Sequence, residues 1–494
     1  MRNLIGLRTQ ILTSAEQVDA VFTSPALYRL AALVTTGKTV GRPAQHPTWS
    51  LLAYGVLARV FRSGARVEAE LSEGDTWQRI LTVVAAVRAA HPELDIPAAG
   101  SRPPKWDAWK HMRNEYFTDP DILAALQRGF TEIAVEQARS LGLLDPAGAG
   151  SLCHPDRTRV VYGDGTVIRP LYRPPNATRT VDATTGEVSV TYLDGAGKPI
   201  PAPTRRFDPD AADYHGHAGP VHGQNYVALY VRGHAPHQRI VLAVDRVCKP
   251  GLEAETAVRA FQQLHQVAGA GIQALVYDGA MRGVHIDELM TGCGVLVINK
   301  VHASAKTARR KGKITTPRWF ALGTWEHDLA GGATCTHQLA ALDGAVHEIG
   351  VADDGQPVVL SRLERKQVKR PRRGTGRFHF NVGDHVPCAG GGFLAWVTPH
   401  GDPTDTDHRR ADTIRVIAEG EPDFDRLYPV RSDAESFNSQ LKRSLLVDRA
   451  MTLGGKRQLL DVLCFGLLNN AITAHHHALA EATAQHTTWL RLAA

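Results

Sequence analysis

The chain has 494 residues, 43% of them hydrophobic, 21% charged and 6% aromatic, which suits roughly three packed domains and excludes intrinsic disorder as the default. No stretch approaches the roughly 20 uninterrupted apolar residues of a membrane helix. The nearest, Leu459 to Leu468, is broken by Asp461, and the N-terminus lacks the apolar region of a signal peptide, so a cytoplasmic, non-membrane protein is expected. The net charge of +6 is compatible with a polyanionic partner, and the six cysteines contain no CxxC pair, which argues against a zinc ribbon or a disulfide scaffold and for reduced cysteines.

Residues 1–145 read as an all-α region. Thr13 or Ser14 with Glu16 and Gln17 makes a helix start, and Thr48 to Phe61 has apolar residues at helical spacing. Asp119 to Leu144 is a long amphipathic helix whose Pro120 falls at N1, where its missing N–H costs nothing. After Pro146 the pattern becomes α/β over 146–299. Strands are expected at Arg159–Ile168, Asn225–Val231, Arg239–Val244, Ile272–Tyr277 and Gly294–Ile298, with a helix at Glu255–Val267. The intervening Thr180–Pro220, rich in Asp, Gly, Pro and Thr, reads as a loop or ragged hairpin.

Over 300–402 short strand-like runs (RWFALGTW, AVHEIGV, PVVLSRL, FHFNV, FLAWVT) alternate with Gly and Pro turns, the pattern of a β-rich insertion. It carries two basic clusters. One runs from Lys300 to Lys313 and includes Arg309 and Arg310; the other holds Arg362, Arg365, Lys366, Lys369, Arg370, Arg372, Arg373 and Arg377. Such density in an otherwise balanced chain predicts phosphate contact. Residues 403–494 return to helix, at Ser432–Ser444 and Lys456–Leu479.

Acids stand where acids are informative. Asp164 follows the strand VVY and Asp278 follows ALVY, each beside glycine, so both are expected at strand ends opening on a cleft. On the later helix Arg431, Glu435 and Lys442 fall within roughly 40° of one another at about 100° per residue, with Tyr428 at its entrance. The plainer reading of that helix is an ion-pair ladder between Arg431 and Glu435. Three converging carboxylates beside basic surfaces suit two Mg²⁺ ions, about 3.5–4 Å apart, driving phosphoryl displacement. No Cys or His cluster for zinc is legible.

The order Asp164, Asp278, Glu435 resembles the Asp-Asp-Glu triad of bacterial insertion-sequence transposases with a ribonuclease H-like core. The spacing Tyr428-(2)-Arg431-(3)-Glu435-(6)-Lys442 is similar, position for position, to the Tyr-Arg-Glu-Lys signature of their large cut-and-paste group. GRPAQHPTWSLLAYGVLARVFRSGARVEAEL resembles their N-terminal DNA-binding helical region, and RFDPDAADYHGHAGPVHGQNYVALY the approach to their second strand. The resemblance implies a ribonuclease H-like α/β core interrupted by the β-rich insertion. It implies Asp164, Asp278 and Glu435 as ligands of two Mg²⁺ ions (Mn²⁺ substituting), with Arg431, Lys442 and Tyr428 on the cleaved strand. Trp319, Trp325 and Trp396 are the candidates for stacking on a flipped base. The implied partners are double-stranded DNA, as terminal inverted repeats and target, and a second copy of the chain in a synaptic homodimer. Two other readings remain: a structure-selective nuclease of the same fold, and a domesticated, non-catalytic DNA-binding protein, which the presence of all three acids opposes.

Overall fold

The structure is a computed structural model. It describes residues 12–35, 44–181, 188–216, 219–235, 238–302, 308–310, 313–316, 319–329, 332–353, 355–400 and 409–492. Its N-terminal part is helical: α1 (Ser14–Thr23), α2 (Pro25–Ala32), α3 (Thr48–Val60), α4 (Gly64–Ser72), α5 (Thr76–Ala90), α6 (Trp106–Met112) and α7 (Pro120–Ser140). Thr13 and Glu16 close a capping box at α1. Asp119 accepts from the backbone N–H groups of Asp121 and Ile122, with Pro120 in the first turn of α7.

The central sheet contains β1 (Val160–Ile168), β6 (Gly219–Arg232), β7 (Arg239–Val247), β8 (Ala274–Val276) and β9 (Leu296–Ile298), in the spatial order β7-β6-β1-β8-β9. β6 runs antiparallel to both β7 and β1, whereas β1, β8 and β9 are parallel. The first half of β6 pairs with β5 (Ala212–Gly216). The parallel strands are joined through α8 (Glu253–Ala268) and α9 (Gly283–Glu288), as parallel connections require. The stretch read as a ragged loop contains a three-stranded antiparallel sheet, β2 (Asn176–Val181), β3 (Val188–Leu193) and β4 (Pro199–Ile200).

Alternate residues of the central strands feed two cores, as a period of two demands. Tyr226 and Ala228 face one; Val227 and Leu229 face the other. The first core also takes α1–α7 and the C-terminal helix α13 (Gly455–Leu492), so the N-terminal helices share their interior with the other end of the chain. α13 also covers the exposed edge of β7. The Asn470 amide accepts from Val241 N (2.8 Å) and donates to Val241 O (2.9 Å), and Thr473 donates to Arg239 O (2.9 Å). Among the described residues no helix is long and apolar enough to cross a membrane.

The insertion begins with the hairpin β10 (Ala308–Arg310) and β11 (Lys313–Thr316). An antiparallel meander follows: β12 (Phe320–Asp328), β13 (Thr334–Leu342), β14 (Ala345–Val351) and β15 (Pro357–Arg362). A three-stranded sheet, β16 (Glu364–Lys369), β17 (Asn381–Val386) and β18 (Phe393–Val397), packs with the meander around Leu339, Val346, Leu363, Val386 and Ala395. The chain then returns through α10 (Arg409–Thr413), α11 (Pro422–Leu427), a 3₁₀ turn at Tyr428–Arg431, and α12 (Ser432–Arg443).

Candidate functional site

Asp164 lies in the middle of β1, opposite Ala228 on β6, not at a strand end as expected. The flanking glycines are strand residues rather than a turn. The pairing of β1 with β8, however, stops at Tyr162–Val276, so the sheet opens beside Asp164 on that side. Asp278 stands two residues past Val276 as Asp164 stands two past Tyr162, which turns both acids to the same face. Asp278 is held in a tight turn by accepting from Ala280 N (2.9 Å).

The third acid arrives on α12. Asp164, Asp278, Glu435 and Lys442 line one cleft of about 1170 Å³, together with Asn225, Glu253, Arg169, Arg282, Asn438 and Arg443. Glu435 is exposed to it and makes no ion pair among the described residues. The expected ladder partner of Glu435 is engaged elsewhere: Arg431 Nη1 pairs with Asp164 Oδ1 (3.0 Å). Asn438 donates to Asp164 Oδ2 (3.2 Å), so two side chains of the signature segment grip the carboxylate of β1. Asp433, on another side of α12, pairs with Arg232 (3.0 Å) away from the cleft.

Electrostatics mark this as a crowded anionic site. Burial pushes the Asp164 carboxyl up to about 7; Asp278 and Glu253 push the same way, and Arg431 opposes them. Glu253, at the start of α8, is a fourth carboxylate that lies ahead of the helix start expected at Glu255. Its own affinity for a proton is raised by burial and by Asp278, although Asn225 (2.6 Å) and Tyr277 (3.3 Å) donate to it. A side chain at Gly165 would collide with the Glu253 carboxylate, so glycine there admits the acid to the site. The signal available in sequence was that glycine, together with an acid in a helix's first turn. Lys442 has its ammonium disfavoured by burial and by Arg169, while Asp164 and Asp448 favour it.

Tyr428 stacks on Phe424 (4.6 Å between centroids, 12° between planes), with Lys300 5.5 Å and Arg431 5.8 Å from its ring centre. It therefore sits in a cationic rim beside the cleft. Among the tryptophans, Trp319 is half-buried just ahead of β12, Trp325 packs between the insertion's sheets, and Lys369 lies 4.0 Å over Trp396.

The second basic cluster divides. Arg365, expected on the phosphate-contacting surface, is buried with its side chain 5% exposed, and it bridges Glu421 (2.9 Å) and Asp423 (3.2 Å). The reason is that its segment forms strand β16, whose alternation turns Arg365 inward against the start of α11. Arg370 donates to Gly294 O and lies over Phe378, and Arg372 donates to Gly376 O (2.8 Å). Arg373 contacts His379 (3.2 Å). Lys369, Arg370, Arg372 and Arg373 are nonetheless exposed. The side chains of Arg309 and Arg310 lie outside the described residues.

The expectation that no Cys–His cluster exists is corrected. Cys335, His337 and Cys388 converge in the insertion, with their ligand atoms within 4.8 Å of one another. No protein-family profile matches this chain, and comparison with curated proteins finds no match.

Proposed function

We propose that this protein is a DNA transposase of the Asp-Asp-Glu type with a ribonuclease H-like core, cutting the ends of its element and joining them to target DNA. The observation that carries the reading is the meeting of Asp164, Asp278 and Glu435 in one cleft with Lys442, although 267 residues of chain separate Asp164 from Arg431 on the signature segment. The strand order, with one antiparallel strand beside parallel ones, supports the same core.

The donor set fits hard divalent cations. It is made of carboxylates that repel one another, and the side-chain oxygens of Asn225 and Asn438 at the cleft are buried without a donor. Asp164, Asp278 and Glu435 would hold Mg²⁺ there, Mn²⁺ substituting, and the ions would supply the Lewis acidity that activates a water or a 3′-hydroxyl and stabilises the leaving oxygen. Arg431 neutralises Asp164 until then and is placed to take a phosphate once released. Lys442 lends positive charge to the scissile phosphate. Tyr428 offers its ring edge and hydroxyl to the strand in the cationic rim, and the exposed lysine and arginines of the insertion track the duplex backbone.

The test uses the full-length chain, Mg²⁺, and DNA carrying the sequences that flank its reading frame. Cleavage at those ends, followed by joining of the 3′ ends to a supercoiled target, is the expected result. Cleavage without joining would replace the reading by a structure-selective nuclease. Binding without either reaction would replace it by a non-catalytic DNA-binding protein.

A further inference from the structure

The insertion contains a second constellation whose chemistry differs from that of the cleft. Cys335 and His337 are two apart on β13, so their side chains share a face. His327 on β12 is the cross-strand partner of Cys335, which brings its imidazole to that same face. Cys388 comes from the turn after β17, where its carbonyl accepts from Gly391 N (3.0 Å). Four soft or borderline donors thus arrive from two different sheets of the insertion.

Burial and hydrogen bonding orient these side chains as ligands. His337 is 5% exposed, and its Nδ1 is fixed by Glu348 Oε1 at 2.6 Å, which leaves Nε2 as the lone-pair nitrogen. That Nε2 is buried with no hydrogen-bond partner, as is Nδ1 of His327. Unpartnered buried nitrogens are costly, and two facing one pair of thiols need an explanation. Phe393 holds both rings, stacked on His327 at 4.7 Å and edge-on to His337 at 5.2 Å. Thiolate and imidazole donors, with no carboxylate oxygen among them, select zinc over magnesium.

We infer that Cys335, His337, Cys388 and His327 form a structural zinc site that clamps the β12–β13 hairpin to the turn after β17. Cys335, His337 and Cys388 already present ligand atoms within 4.8 Å of one another, and His327, paired opposite Cys335, supplies the fourth donor; binding draws them to the usual Zn–S and Zn–N lengths of about 2.3 and 2.0–2.1 Å. The two thiols give up their protons to solvent as the ion binds, leaving a neutral centre with every donor engaged, which matches a structural rather than a catalytic role. The clamp lies between the two sheets that present Lys369, Arg370 and the tryptophans, so it fixes the geometry of that surface. This inference concerns side chains other than those of the cleft and holds or fails independently of the transposase reading.

The experiment is elemental analysis of the full-length protein after dialysis, followed by chelation and reloading with Co²⁺. We expect one zinc per chain in the wild type and in Asp164→Asn and Cys248→Ser, and less than a tenth of that in Cys335→Ser and Cys388→Ser. Reloaded protein should show the intense visible bands of tetrahedral, thiolate-bound Co²⁺. Glu348→Gln, which keeps all four donors, should weaken metal affinity by about 10–100-fold. If the cysteine variants fail to fold, the wild type decides: chelation should lower its melting temperature, and Zn²⁺ but not Mg²⁺ should restore it. Metal-free wild type that takes up no tetrahedral Co²⁺, or a Cys335–Cys388 disulfide in freshly purified protein, overturns the site.

Discussion

At the cleft, the groups that meet are carried by elements whose placement a reader of the sequence can follow. Asp164 lies within one apolar strand and Asp278 just past the end of its neighbour, and Glu435 and Lys442 ride on a helix whose spacing fixes their common face. In the insertion, Arg365 turns inward while its neighbours stay exposed, and Cys335, His337 and Cys388 meet only because two short sheets fold over one another. Chemistry written within one element can be read from spacing. Chemistry assembled by cross-strand pairing depends on register, which short polar strands do not announce.

This contrast can be broken at its strongest point first. Asp164→Asn, Asp278→Asn and Glu435→Gln should each reduce Mg²⁺-dependent DNA cleavage by about a thousandfold or more while leaving gel-shift affinity within a few-fold, as expected for lost metal ligands. A mutant that retains substantial cleavage removes its residue from the site. Lys442→Ala should slow cleavage by about 10²–10³ with the melting temperature nearly unchanged. Cleavage at the wild-type rate would leave Lys442 as no more than a surface cation.

The insertion is sharpened by two opposed substitutions within a single basic run. Arg365→Ala removes the buried cation between Glu421 and Asp423, leaving Asp423 with Arg426 and His154 and Glu421 with Arg362, and should cost about 1.5–3 kcal/mol in denaturant unfolding, with little change in the salt dependence of DNA binding. Neutralising Lys369, Arg372 and Arg373 should do the reverse, lowering the slope of log K against log salt by about one for each phosphate that these side chains no longer neutralise. If the two sets behave alike, the division of the cluster into inward and outward cations is wrong.

The smallest effect is a pH dependence. The folded-state pKa of Asp164, near 7, lies above its ordinary value of 3.8, so the folded protein holds this proton more tightly than the unfolded chain. In metal-free buffer its contribution to stability is therefore present at low pH and is lost as pH rises from about 4 to 7. Asp384 is also pushed up to about 7, by burial first and then by Glu421, with Arg365 opposing, and it slopes the same way; the Asp164 part is read as wild type minus Asp164→Asn. Mg²⁺ should flatten that difference by favouring the ionised carboxylate. A difference of opposite sign would mean that Asp164 is ionised without a cation.

Several features were legible for physical reasons, and others were hidden for equally physical ones. The five core strands and α7, α8, α12 and α13 announce themselves by apolar periodicity or clean capping. Asp164 is expected at a strand end because it follows the apolar run VVY, whereas its pairing with Ala228 of β6 keeps it within the strand. β13, TCTHQLAAL, and β16, ERKQVK, lack the β-branched alternation of a half-buried strand, and these are the strands that carry Cys335, His337 and Arg365. The Arg431–Asp164 pair was masked by a nearer suitor, since Glu435 stands at the helical distance at which an arginine ordinarily finds its partner.

The distance along the chain between those two partners has a consequence for biosynthesis. Asp164 and Arg431 are separated by 267 residues, which at about 5–20 residues per second of translation is roughly 13–53 s of ribosome time. The sheet bearing both aspartates is complete at Ile298, long before Glu435 and Lys442 emerge. A nascent chain at that point still lacks α13, which fills one face of the sheet and covers the edge of β7, as well as Glu435 and Lys442, so a product cut short anywhere in the insertion has neither a closed core nor a complete cleft.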